Sequence, residues 1–178
     1  AQRAEYPLDS ESSRYVEQFA QQVSTQGALA VLSLEPQVAL GDLGPEDAAV
    51  LADFLDELHD KYDTEFLVRF APEMNGSWVS WGQQPTAYVE AFQEVATQIH
   101  ERTSVAAMVW SPTYGAGYPF GAAYGDVAPA GPEDLAGLDT TGDGIVTQAD
   151  DPYGPYWPGE DAVDWVGLGL FHFGSDQG

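Results

Sequence analysis

One feature constrains the fold of this chain more than any other: helical and strand-like patterns alternate along it. Val16, Phe19, Ala20 and Val23 recur at helical spacing and predict a helix over roughly Glu11–Gln22. Little precedes that helix, so the chain is read as starting almost directly in it. Ala28–Leu34 follows as a short apolar run, read as a buried strand that ends at Glu35-Pro36. Gly44-Pro45 opens a second helix with proline at a tolerated first-turn position, striped by Leu51, Phe54, Leu55 and Leu58. Phe66–Phe70 is the next strand. Pro85 opens a third helix, striped by Tyr88, Phe92, Val95 and Ile99, and Val105–Trp110 is the third strand. A Gly/Pro/Asp-rich loop is predicted from Ser111 to about Asp161, and a last strand over Trp165–Phe171.

Alternating strands and helices imply an α/β fold with a parallel sheet, either doubly wound or closed into a barrel. A doubly wound sheet predicts a Gly-rich turn after its first strand, and Leu34-Glu35-Pro36-Gln37 is not one. A (β/α)8 TIM barrel takes about 250 residues. The 178 residues here therefore read as a single partial domain, roughly strands three to six of such a barrel. Five Lys+Arg stand against 29 Asp+Glu, for a net charge of -24. That surface repels phosphate backbones and anionic headgroups, which argues against nucleic-acid and membrane partners. No apolar run is long enough to cross a bilayer. Cysteine is absent, which removes disulfides and thiolate chemistry. Ala1-Gln2-Arg3-Ala4-Glu5 is polar and is no signal peptide, so a secreted protein would be met here in mature form.

In either architecture, active residues gather at the carboxyl ends of the strands. Four features fall there: Glu35, Glu73 with Asn75, Trp110-Ser111-Pro112, and Phe171-His172. Glycoside hydrolysis needs one carboxyl to protonate the leaving oxygen and another to attack or to activate water. Glu73 suits the acid, Asn75 a bond to a sugar hydroxyl, and Trp78 and Trp81 offer flat faces for pyranose rings. Trp110, Glu35 and His172 complete the candidate substrate-binding set. The alternative is structural: Glu73 pairs with Arg69 and the tryptophans are core.

The segment Arg69-Phe70-Ala71-Pro72-Glu73-Met74-Asn75-Gly76-Ser77-Trp78, followed by Trp81-Gly82, resembles the acid/base segment of glycoside hydrolase family 26. That family holds mostly β-mannanases, with some lichenases and xylanases. Met108-Val109-Trp110-Ser111-Pro112 is similar to its fifth strand, and Tyr156-Trp157-Pro158-Gly159-Glu160-Asp161-Ala162-Val163-Asp164-Trp165-Val166-Gly167 to the run into its sixth. The resemblance implies a (β/α)8 barrel and retaining, endo-acting hydrolysis of a β-glycan. It implies Glu73 as catalytic acid/base at the end of strand four, and a nucleophilic glutamate at the end of strand seven, which this chain does not include. Glu35 is then a site-lining or structural residue. The chain departs from the family pattern at Pro72, where histidine is usual, and at Phe171, where a tyrosine is usual. Those departures support a second reading, a non-catalytic carbohydrate-binding relative. Either reading implies a polysaccharide partner, a secreted or extracellular setting and a monomer at full length.

A second motif runs from Asp139 to Asp150 and fits a calcium loop of the EF-hand, dockerin-like kind. Asp139, Thr141 and Asp143 fill alternating ligand positions, Gly144 the sharp turn, Ile145 the backbone carbonyl and Asp150 the closing carboxylate. A Ca2+ ion held there, within an insertion at about 139–151, is expected to be structural. A calcium-dependent surface module is the third reading, set against the fact that tandem loops are usual in dockerins and this chain holds one.

Overall fold

A computed structural model describes residues 1–121 and 131–170. It contains a five-stranded parallel sheet: β1 (Gln2–Tyr6), β2 (Ala30–Pro36), β3 (Phe66–Phe70), β4 (Ala106–Trp110) and β5 (Trp165–Val166). The strands lie side by side in the order in which they occur along the chain. Helices α1 (Ser10–Ser24), α2 (Pro45–Tyr62) and α3 (Pro85–Arg102) connect the first four strands, and a short α4 (Pro132–Leu138) lies in the last crossover.

Local chemistry accounts for where the helices start. The Asp9 carboxylate accepts the amide of Ser12 at 2.7 Å, satisfying a donor that the first turn leaves without an intrahelical partner. The Gly44 amide donates to Asp47 at 3.0 Å ahead of Pro45, and Pro85 supplies the fixed φ of the α3 first turn. The helices bury Val16 and Ala20, then Leu51, Leu55 and Leu58, then Tyr88, Phe92, Val95 and Ile99. Side chains alternate across a strand. Leu32, Leu34, Phe66, Val68, Phe70 and Met108 are buried in the same core as these helix residues. Their neighbours Arg3, Ser33, Arg69 and Val109 take the opposite face. The register aligns them, with Arg3 beside Ser33 and Ser33 beside Arg69.

The fold departs from the sequence reading in three places. A strand, β1, precedes the first helix. Its residues are mostly polar, and it is held because Ala4 and Tyr6 alone turn into the core. If β3 is counted as strand four of a barrel, the described strands run from two to six rather than three to six. The last strand is two residues long, continued by an isolated bridge between Thr113 and Gly169, and Phe171 lies outside the described residues. The predicted long loop also contains α4.

Candidate active site

The carboxyl ends of β2, β3, β4 and β5 meet at one rim of the sheet. Just past β3 the backbone turns sharply, with Ala71 at φ 41 and Glu73 at φ 60. This left-handed region is costly for residues with a Cβ and persists only where the surroundings hold it. They do so here. The amide of Ala71 donates to the Leu34 carbonyl at 2.9 Å, that of Glu73 to Ser111 at 2.8 Å, and that of Gly76 to Glu73 at 2.8 Å. Gly76 and Gly82 meet closely, and a Cβ on Gly82 would stand 2.1 Å from the Gly76 carbonyl oxygen.

The Glu73 carboxylate is half-buried at this rim. Trp78 donates its indole Nε1 to Oε2 at 3.0 Å. On the other side lies Gly169, where a Cβ would come within 3.0 Å of Oε1. Arg69 stands one strand position below the turn and donates its Nε to the Ser111 hydroxyl at 2.8 Å. Burial lowers the Arg69 pKa, opposed by the negative charges of Glu73 and Glu35. Arg69 and Glu73 make no close ion pair among the described residues. Glu35 is joined instead to Arg3, Nε to Oε1 at 3.2 Å, in a pair exposed enough to contribute little to stability.

The other predicted contacts lie elsewhere. Asn75 is fully buried and its amide is spent on one residue: Nδ2 donates to the Thr113 carbonyl at 2.9 Å and the Thr113 amide donates to Oδ1 at 2.8 Å. Its amide is thus buried against Thr113 and not exposed at the rim. Trp81 is buried with its Nε1 on the Pro72 carbonyl at 2.9 Å, and Trp110 is buried with its Nε1 on the Tyr156 carbonyl at 2.9 Å. These two serve the core, and neither presents a face for stacking. Trp78 is the predicted aromatic that keeps an exposed part, its ring meeting Phe120 edge-on at 5.0 Å. His172 lies outside the described residues. Ser111 belongs to the predicted Trp110-Ser111-Pro112 feature, whereas Gly169 falls inside the predicted strand Trp165–Phe171 and reaches Glu73 because β5 ends at Val166.

The Asp139–Asp150 loop closes on its own amides. Oδ1 of Asp139 accepts from Gly142 at 2.8 Å and Asp143 at 3.1 Å, and its Oδ2 from Gly144 at 2.7 Å. Asp150, nearly buried, accepts the amides of Thr141 at 2.9 Å and Thr147 at 2.7 Å, and these bonds hold its pKa below the ordinary aspartate range. No group of three or more carboxylate or imidazole side chains lies close enough to hold a metal among the described residues. The donor chemistry still suits a hard cation. Thr141, Asp143 and the Ile145 carbonyl supply oxygens, and Oδ2 of Asp139 accepts a single amide where a carboxylate oxygen has room for two partners.

No protein-family profile matches the chain, and no curated protein is similar to it in sequence. Solved structures do share its fold. An endo-β-1,4-mannanase double mutant from Cellulomonas fimi is 19% identical with a TM-score of 0.53, over 90% of this chain and 36% of that one. The catalytic domain of a family 26 endo-β-1,4-mannanase from Bacillus sp. JAMB-750 is 19% identical with a TM-score of 0.54, over 89% of this chain and 41% of that one. The likeness is one of fold, and this chain spans roughly two-fifths of the length of those proteins or less.

Proposed function

We propose that this chain is part of a retaining, endo-acting β-glycan hydrolase, β-mannanase-like, in which Glu73 is the general acid/base. One observation carries the reading. A glutamate carboxylate sits half-buried at the carboxyl end of a parallel strand, in a backbone conformation that costs energy, with an indole N–H on one oxygen. Strained residues held this firmly cluster at functional sites. The fold shared with mannanases and the Arg69–Trp78 motif support the same assignment.

In this reading Glu73 gives its proton to the leaving glycosidic oxygen and later takes one from the attacking water. Trp78 orients the carboxylate through Oε2. The nucleophile stands about 5–5.5 Å away, as retention requires. Glu35 is not assigned that role, because the family pattern places the nucleophile on a seventh strand. The substrate is a polysaccharide met outside the cell, and the 139–150 loop takes a structural Ca2+ through Asp139, Thr141, Asp143, the Ile145 carbonyl and Asp150.

The test uses the full protein that carries this chain, offered mannan, mixed-linkage glucan and xylan, with Glu73→Gln alongside. Loss of a general acid is expected to lower kcat by about 10²–10⁴-fold on the preferred polymer. Equal rates for the two proteins would sink the assignment. Binding of polymer without turnover by the unaltered protein would favour the non-catalytic relative.

A further inference from the structure

We infer that Asn75 is a positioning residue for Glu73: its buried amide locks the β3 exit turn onto the β4 exit strand and so fixes where the carboxylate points. The inference rests on Glu73 acting as the acid. Its basis is a closed circuit of contacts. The Asn75 amide bonds both backbone groups of Thr113, as a neighbouring strand would, although the turn it belongs to is not a strand. Thr113 is in turn bridged to Gly169, whose amide donates to the Pro112 carbonyl at 2.8 Å and whose carbonyl accepts the Tyr114 amide at 3.1 Å. Gly169 then closes on Glu73 itself, since a Cβ there would lie 3.0 Å from Oε1. The amide of Glu73 completes the ring through the Ser111 carbonyl.

Each link has a physical reason. A φ of 60 at Glu73 is not favoured by the residue's own sterics, so the turn needs fixing from outside. A side-chain amide is suited to this, because it carries a donor and an acceptor in one plane and can replace a missing strand pair. Burial makes the bond pair hard to give up, since each group left unpaired in the core loses its partner without gaining water. Gly169 supplies no side chain where a Cβ would stand 3.0 Å from Oε1 and crowd the carboxylate. The carboxylate is therefore gripped on Oε2 by the indole and bounded at Oε1 by backbone.

A displaced general acid has a signature that general destabilisation lacks. Protonation matters for a poor leaving group, such as a sugar of the natural polymer, and hardly at all for an activated one, such as a dinitrophenolate. The experiment uses the full protein and three variants: Asn75→Ala, the milder Asn75→Asp, which keeps the acceptor for the Thr113 amide, and Gly169→Ala, which presses on Oε1 from the other side. We expect kcat on the polymer to fall about 100-fold, the size of effect that a 1 Å misplacement produces. The value of kcat/KM on the dinitrophenyl glycoside, which reports only the step before water attacks, should change less than about threefold. Proportional loss on both substrates, or no loss on either, would overturn the inference. A second readout does not depend on turnover. The Trp78 indole N–H resonance should move in Asn75→Ala as it does in Glu73→Gln, and an unmoved resonance overturns the inference as well. If the unaltered protein hydrolyses neither substrate, the reading of Glu73 as acid fails first and takes the inference with it. If Glu73→Gln is dead while the three variants behave normally, the inference alone fails.

Discussion

Trp78, Trp81 and Trp110 are chemically the same side chain, and the structure gives them different work. Trp81 and Trp110 put their rings in the core and their indole N–H groups on backbone carbonyls. Trp81→Phe leaves the Pro72 carbonyl without that partner. The expected cost is about 1–3 kcal/mol of stability, read from the denaturation midpoint. Trp78→Phe removes a bond to a carboxylate at the rim, and should lower polymer hydrolysis about tenfold, equivalent to roughly 1.4 kcal/mol of barrier, while moving the midpoint far less. If both variants lose stability equally, the division is wrong. This is the scale at which sequence reading had least purchase. A tryptophan after a strand is compatible with either role. What separates the roles is a carbonyl elsewhere in the chain, at Pro72 for one and at Tyr156 for the other. Asn75 shows the same limit, because its partner Thr113 lies 38 residues further on. The place of Glu73 at the rim was legible because the end of a strand and an ordered motif mark it.

At the scale of elements, periodicity served well wherever a segment buries one face. Phe66–Phe70 has the strand limits expected, and Pro85 starts α3 as proline should. It failed at β1, where two buried residues among five carry no legible alternation, and in the crossover holding α4, where glycine and proline mask a short helix. The Asp139–Asp150 loop gives two predictions. Because the amides of Thr141 and Thr147 hold the Asp150 pKa down, its contribution to loop closure is complete above the ordinary aspartate value and is lost as the pH falls through its lowered value. Hydrogen exchange should therefore show the Thr141 and Thr147 amides losing protection below about pH 4, with α2 and α3 unaffected at that onset. Calcium titration of the full protein should raise the melting temperature and protect the same two amides at neutral pH. Calorimetry that detects no calcium binding would remove the cation and leave the amide-closed loop as the whole account.

For the whole molecule the dominant quantity is charge. With -24 net and few cations to offset it, self-repulsion opposes compactness. The exposed ion pairs, such as Arg102 with Asp53, are too few to compensate. Melting temperature is therefore expected to rise as ionic strength goes from about 10 mM to about 150 mM, where the screening length falls from about 30 Å to about 8 Å. A fall over that range would show that the attractive pairs dominate after all. The order of the strands bears on how the chain assembles. Each of β2 to β5 pairs with the strand made just before it, Leu32 with Gln2, Phe66 with Ala30, Ala106 with Phe66. Among the described strands, β2, β3 and β4 each have a neighbour already made to dock on as they leave the ribosome. The exception is the last step. Val109 meets Trp165 only after the long acidic crossover has closed, and loop closure costs more as the loop lengthens. The rim around Glu73, which needs Gly169 in place, is thus the latest part of this sheet to form.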